Sequence, residues 1–410
     1  MNVLISGASI AGPALALVLA DRGFDVTVVE RAPTLREGGY AVDVRGAALE
    51  VVERLGLRDS LRPLETDTES TAVVDRRGRR FGRTPRGFGI IDAGDIEILR
   101  GDLARVLYDR TRRTARYRFD DSIAELRQTE AAVEVRFASG SRASYDVVVG
   151  ADGVHSKTRE LAFGPESAFV RPLGSCMAIF TAPNHLGLDR EQLLWNGAGR
   201  IASIKPGKGN HDLKVCVFFA ADASSFQPRD TRAQRELVER AFASEGWELP
   251  RFVDAMWRAD DFYCDVTCQV VMDRHVDGRV ALVGDAGYCP SPLTGQGTSL
   301  ALVGAFVLGT ALARTGDPRA ALAEYDASVR AFVTKNQAAA RNVAKGFLPV
   351  TPFDVWMRAL GMRLLPYLPA KWIMGMAMRD IRDASRAIAL DGPPVPALAR
   401  AHLAPATARA

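Results

Sequence analysis

The chain has 410 residues, a formal net charge of +4, and 47% hydrophobic and 25% charged residues. That length exceeds one ordinary hydrophobic core and predicts two domains, and the composition is that of a folded globular protein rather than a disordered one. So small and dispersed a charge argues against a nucleic-acid surface, which needs a cluster of one sign.

In chain order, NVLIS at 2–6 is a short apolar run suited to a buried parallel strand. Residues 11–22, rich in Ala and Leu, predict a helix, and DVTVVE at 25–30 the next strand, so the chain opens on a βαβ unit. The apolar stretch 3–20 does not read as a secretory leader. No Lys or Arg precedes it, and Gly7, Gly12 and Pro13 interrupt it. A helix is expected at 46–56, short strands within 70–92, and a helix at 100–114. A hairpin over 131–150 should turn at Ala-Ser-Gly-Ser. Strands follow at 174–182 and 212–221, a charged helix at 231–244, a buried strand at 279–284, and helices at 297–314 and 317–345. Residues 346–378 predict short helices broken at Pro349, Pro352, Pro366 and Pro369. The tail 393–410 should be loose. No run reaches the roughly 18–20 uninterrupted apolar residues of a membrane span, and the expectation is a cytoplasmic protein.

The cysteines (Cys176, Cys216, Cys264, Cys268, Cys289) match no zinc or CxxC spacing, although Cys264 and Cys268 should share one face of a strand. The histidines (His155, His185, His211, His275, His402) include no pair at ligand spacing. No metal site is expected.

Between the first strand and helix stands Gly7-Ala8-Ser9-Ile10-Ala11-Gly12. Gly7 permits a tight turn and Gly12 a close helix–strand approach. The amides opening the helix, with its dipole, can hold a pyrophosphate. Ser9 replaces the middle glycine of GxGxxG, which weakens the match. Glu30, ending the next strand, stands where a carboxylate accepts from ribose hydroxyls. A second motif runs Asp146-Val-Val-Val-Gly150-Ala151-Asp152-Gly153-Val-His-Ser156-Lys-Thr-Arg159. A third runs Gly278-Arg279-Val-Ala-Leu-Val-Gly284-Asp285-Ala286-Gly287 and continues through Pro292, Gly295, Gln296 and Gly297.

These three fingerprints, in this order, resemble the single-component FAD-dependent aromatic hydroxylases, the para-hydroxybenzoate hydroxylase family of group A flavoprotein monooxygenases. The likeness is nearest to the branch of tetracycline-inactivating and polyketide hydroxylases and is weakest over 165–275. The resemblance implies an α/β fold: a Rossmann-like FAD-binding domain of the GR2 type, interleaved with a β-sheet substrate domain, plus C-terminal helices. The expected division gives 1–70, 100–165 and 276–345 to FAD, 71–99 and 166–275 to substrate, and 346–392 to the C-terminal helices.

It further implies that Gly7, Ala8, Ser9, Ile10, Ala11 and Gly12 wrap the FAD pyrophosphate, with Glu30 on the adenosine ribose and Arg31 beside it. Arg100 and Asp43, the latter after Gly38-Gly39, would contact the flavin side. Asp152 would brace the nucleotide fold and Asp285 bond the ribityl chain. Gly295, Gly297, Thr298 and Ser299 would face the flavin pyrimidine, and Pro292 its reactive face. A helix N-terminus there suits the negative charge of a reduced flavin. Arg36 loosely matches a position that meets NADH or NADPH. Tyr288 stands where the family has histidine, and Ser299 where asparagine is frequent.

The implied activity is NAD(P)H-consuming insertion of one oxygen atom from O2 into an aromatic or polycyclic, polyketide-like molecule, through a flavin C4a-hydroperoxide. Epoxidation and Baeyer–Villiger outcomes are not separable from hydroxylation. Two alternatives stay open: an FAD-dependent reductase of a conjugated or prenyl C=C bond, and a non-catalytic flavin-binding sensor. The absence of any Trp-x-Trp disfavours a halogenase. Candidate substrate-facing residues are Phe180, Trp195 and Phe218, and candidate bases Arg200, His211 and Tyr288. The segment 346–378, with Phe347, Trp356, Met357, Leu365, Trp372, Met376, Arg358, Arg363 and Lys371, is expected to pack over both domains and cap the cavity, an interfacial membrane helix being the alternative. The protein is expected to be a monomer or homodimer.

Overall fold

The computed structural model describes residues 1–36, 39–85, 94–364, 367, 376 and 378–391. Gly38, Leu365, Pro366, Pro369, Lys371, Trp372 and the tail 393–410 lie outside them. The first strand, Asn2–Ser6, lies within a six-stranded sheet of order 276–277, 280–282, 147–150, 2–6, 25–29, 116–118. Every neighbouring pair is parallel except the short 276–282 hairpin. The inner strands read as unbroken apolar runs because both faces are covered. Val3, Ile5, Val147 and Val149 pack against the Ala11–Ala20 and Gly297–Arg314 helices. The alternate residues Leu4 and Val148 pack against a three-stranded antiparallel sheet (123–128, 133–137, 142–145). The side-chain period of two thus divides one apolar run between two cores.

The second large sheet has seven strands, in the order 263–270, 170–183, 212–220, 200–206, 191–197, 70–74, 80–85, and is antiparallel except where 191–197 meets 70–74. One face, with Ala178, Phe180, Trp195, Val217 and Phe219, packs against the Thr231–Phe242 and Leu249–Arg258 helices through Phe242 and Phe252. The other face carries Met177, Ile179, Ile201, Ser203, Lys205, Cys216 and Phe218. Its register pairs Met177 with Phe218, Ile179 with Cys216, Ile201 with Phe218 and Ser203 with Cys216. This face turns toward the parallel-sheet half. Lys205 pairs with Glu97 there, and Phe218 meets Phe347 edge-to-face at 4.8 Å.

Three expectations need correction. The 131–150 hairpin is shorter, 133–137 with 142–145. The chain then turns at Asp146, whose carboxylate accepts from Asn2 N at 2.7 Å, and 147–150 joins the parallel sheet. The strands 191–197 and 200–206 had no sequence expectation. Among the described residues one helix, Gly297–Arg314, is long and apolar enough to cross a membrane, but 72% of it is buried inside the protein, as in a core helix.

Beyond Phe347, the Pro352–Leu364 helix packs against the strands 80–85 and 191–197. Its Met362 lies against Gly82, and Arg363 stands over the Phe81 ring at 4.8 Å. Phe353, Trp356 and Met357 point outward instead of capping the cavity.

Candidate active site

The Gly7–Gly12 turn is dictated by close contacts. Gly7 has φ +111°, and a Cβ there would lie 2.3 Å from Ala151 O. A Cβ on Gly12 would lie 2.0 Å from Gly7 O. The first motif is thereby pressed onto the strand end that begins the second. No side chain caps the Ala11–Ala20 helix, and Pro13 contributes no N–H. Its first amides and the positive end of its dipole are left to whatever lies before it. At the end of the second strand, the Glu30 carboxylate accepts from Ala8 N (2.9 Å) and Ala32 N (3.0 Å). Arg100, opening the Arg100–Thr111 helix, donates from Nη2 to Ser9 Oγ (2.7 Å) and from its backbone N to Tyr40 O (3.0 Å). Arg31 and Arg36 are exposed on the loop that follows the second strand.

Asp152 is used internally. Its carboxylate accepts from Ser156 Oγ (2.5 Å), Thr158 N and Thr158 Oγ1 (both 2.9 Å), fixing the loop before the Lys157–Phe163 helix. Arg159, fully buried, donates to Ala286 O (3.0 Å) and Val154 O (2.7 Å), and so ties the second motif to the third. The third meets the first at Gly284 (φ +65°), where a Cβ would be 3.2 Å from Ala11 Cβ.

Asp285 follows. Burial pushes its carboxyl above the ordinary range, partly offset by Cys289 and the Arg100 guanidinium. Gly297 begins the long helix beside it, since a Cβ there would lie 3.6 Å from Asp285 Oδ1. Asp43 lies against Gly295, whose Cβ would come within 2.8 Å of Oδ2. Burial pushes the Asp43 carboxyl up to about 6 against the opposing pull of its ion-pair partner Arg45. Ser299 Oγ accepts from Arg45 N (3.1 Å) and donates to Asp43 O (3.4 Å), stitching strand 41–44 to the helix start. Thr298 is buried beside it, and Pro292 is partly exposed in the Pro292–Thr294 turn. The three fingerprints therefore converge on one cleft.

Several candidates fall elsewhere. Phe180 and Trp195 are 1% and 0% exposed in the core behind the seven-stranded sheet, Trp195 against Phe242. Their strand parity points them away from the cleft, and only Phe218 of the three faces it. Arg200 reaches Ala241 O and Glu245 Oε1 on the helix side, and His211 is exposed at a surface turn. Tyr288 is buried beneath the long helix, its hydroxyl bonded to Tyr325 Oη at 3.0 Å. None of these three is placed to act as a base in the cleft.

Other residues were missed. Glu97 accepts from both Lys205 and Thr66, and Gln192 Nε2 donates to Ser203 Oγ at 2.7 Å, giving the cleft face of the sheet a polar strip. At the sheet edge, Tyr263 Oη donates to Asp265 Oδ2 (2.8 Å). His155 lies between Asp265 (3.1 Å) and Glu166 (3.0 Å). The bond to Asp265 leads in pushing the imidazole up to about 9. Period-two alternation in 191–206 was the available signal for the strip. Nothing local announces the His155–Asp265 pair.

A family model described as an FAD binding domain matches residues 1–340. An uncharacterised protein of Mycobacterium tuberculosis is 44% identical over 341 residues, 82% of this chain and 91% of that protein. A flavin-dependent monooxygenase of Legionella longbeachae is 35% identical over 350 residues, 85% and 90% of the two chains. The crystal structure of the tetracycline destructase Tet(55) superposes with a TM-score of 0.82 at 34% identity, covering 95% of this chain and 98% of its own. The chain belongs to the FAD-binding family of para-hydroxybenzoate hydroxylase-like flavoproteins, and it is an FAD-dependent monooxygenase.

Proposed function

We propose that this monooxygenase consumes NADH or NADPH and inserts one oxygen atom from O2 into an aromatic or polycyclic, polyketide-like molecule held against the cleft face of the seven-stranded sheet. The observation that carries this reading is that face itself. Met177, Ile179, Ile201 and Phe218 form an apolar floor, bordered by Gln192–Ser203 and Lys205–Glu97. A flat, largely apolar molecule with a polar edge matches a wall of that kind. The name of the tetracycline destructase neighbour is consistent with such a substrate.

The residues present fit FAD. The Ala11–Ala20 helix start carries no side-chain cap, which leaves its first amides open to a phosphate, and the buried Ser291 Oγ and Thr294 Oγ1 have no partner among the described residues. When bound, FAD supplies hydride acceptance and delivery of an activated oxygen atom. In this reading Gly7–Gly12 and the helix opening at Ala11 hold the pyrophosphate, with Arg100 steadying the turn through Ser9. Glu30, with Arg31 near it, takes the adenosine ribose, and Asp285 the ribityl chain. Asp43, Gly295, Gly297, Thr298 and Ser299 border the flavin pyrimidine, while Pro292 borders the reactive face. Arg36 is assigned to the nicotinamide cosubstrate. Asp152 acts indirectly, by fixing the loop. The segments 1–70, 100–165 and 276–345 form the FAD unit, and 71–99 with 166–275 the substrate unit. The protein's part is to orient the substrate and exclude water.

Oxygen-dependent NAD(P)H oxidation by purified, yellow protein, with a panel of phenols, anthraquinones and tetracyclines, tests this. Acceleration by one of these with a product 16 mass units heavier (roughly one oxygen atom) is the expected result. Equal turnover of a substrate without oxygen would overturn it.

A further inference from the structure

Between the strand end at Arg45–Gly46, the loop at Gln296 and the C-terminal Arg379–Ser385 helix lies a cavity of about 20 Å³, lined by Arg45, Asp95, Gln296, Arg382, Ser385 and Arg386 among others. One water-sized occupant needs roughly 10–15 Å³, so there is space for a single small species. Its walls are fixed. A Cβ on Gly46 would come 2.4 Å from Ser385 O, and Asn336 Nδ2 holds Ala384 O at 3.0 Å. Arg45 is 6% exposed, yet its Nε and Nη1 have no partner among the described residues. Gln296 is 1% exposed, and neither amide atom has one. Buried polar groups are almost always satisfied, so these atoms call for an occupant. Its sign follows from the surroundings. The atoms left without partners are mainly donors, Arg45 Nε and Nη1 and Gln296 Nε2, and the Arg382 and Arg386 guanidinium groups line the same cavity with Asp95.

We propose that this cavity binds one small monovalent anion of the halide class, which joins the C-terminal helix to the loop carrying Gln296. Space for about one water-sized species beside the Arg45 and Gln296 donors favours a compact acceptor over a larger oxyanion. The cavity adjoins Asp43, Gly295 and Gly297, which border the flavin in the reading above, and Met177, Ile179, Ile201 and Phe218 of the sheet face are not among its lining residues.

The test uses the FAD-loaded protein, with flavin absorbance confirming equal occupancy throughout. Thermal midpoints are measured in sodium chloride, bromide and gluconate at constant ionic strength. A saturable rise on the order of one to a few degrees in chloride and bromide, absent in gluconate, is expected. Arg386→Gln and Arg382→Gln should each flatten that dependence. Crystals grown in bromide should show an anomalous peak within hydrogen-bonding distance of Arg45 Nε or Nη1 and Gln296 Nε2. Midpoints indifferent to the anion, variants that keep the halide response, or a cavity filled by water or by flavin atoms with no bromide signal would each overturn the proposal. The bromide map decides even where a variant does not fold.

Discussion

Tyr288 offers the sharpest test of how the third motif is built, because a glycine one helix away is shaped to it. Its hydroxyl bonds Tyr325 Oη at 3.0 Å, and Tyr325 Oη in turn donates to Leu282 O at 2.7 Å. A Cβ on Gly304 would lie 1.8 Å from Tyr288 Oη, whereas the next nearest ring atom, Cζ, is 3.0 Å away. Tyr288→Phe removes one hydrogen bond but leaves Tyr325 bonded to Leu282, and should cost about 0.5–1.5 kcal/mol. Gly304→Ala gains about 1 kcal/mol of helix propensity. It also forces an overlap that costs about 1–3 kcal/mol or more in a packed core. The ring is fully buried and cannot swing aside. In the Tyr288→Phe background the clashing oxygen is gone, so most of the overlap penalty should disappear. The double variant should therefore be more stable than the sum of the singles by about 1–2 kcal/mol. Urea unfolding of the four proteins, followed by circular dichroism, measures the cycle, and turnover is assayed alongside. Additive destabilisation would refute the packing account. A Tyr288→Phe protein of unchanged stability and abolished turnover would restore the tyrosine to the chemistry.

Three further outcomes follow from the geometry. Trp195→Ala should lower stability by about 3–5 kcal/mol, as large core truncations do, whereas Phe218→Ala should raise the KM of the oxygenated substrate with a smaller stability loss; the reverse pattern in KM and urea midpoint would mean the sheet faces are misassigned. His155 has a folded pKa of about 9 against an ordinary 6.5, so its bridge to Asp265 contributes fully below pH 6.5 and is lost as pH rises toward 9. With a side chain 41% exposed, screening holds this to within about 1 kcal/mol. His155→Gln should flatten the wild-type decline in thermal midpoint across that window, and parallel pH profiles would contradict it. Asp43 runs the other way from an ordinary ion-paired carboxylate. Its pKa is raised, so the folded state holds the proton more tightly than the unfolded chain, and stability should fall as pH rises from 3.8 through about 6. Melting the FAD-free protein between pH 4 and 7 should show that fall and Asp43→Asn should lack it; an identical slope in both would be decisive against it.

The parts of the molecule legible in the sequence are those specified by neighbouring residues. Gly7 and Gly12, Glu30 twenty-odd residues on, and the helix beginning at Gly297 each depend on a turn, a strand end or the start of an apolar run. Local patterns encode all three. What they do not encode is which face of a strand looks where. Phe180, Trp195 and Phe218 are equally aromatic, and parity alone sorts them. On 212–220, Lys214 shares its face with Cys216 and Phe218, and Val215, Val217 and Phe219 occupy the other. Lys214, with Asp212 beside it on the same face, marks the open side. The same parity reaches Phe180 only through its pairing with Val215, and Trp195 only through Ala202 and then Val217. The Trp195–Ala202 pairing is local, but the pairings of Phe180 with Val215 and of Ala202 with Val217 join positions too far apart in sequence for a local pattern to relate them.

Tyr288 is misread for a related reason. Its departure from the family's histidine invites a chemical interpretation, yet the room for its hydroxyl is provided by Gly304 and its partner by Tyr325, both on the two long helices above it. A substitution inside a motif can thus be the visible half of a packing change whose other half lies outside the motif. The Tyr288–Gly304 pair predicts that restoring histidine alone would leave Tyr325 without its hydroxyl partner and a gap beside Gly304. A chain that recovers full stability on Tyr288→His would show that the two positions are not coupled after all.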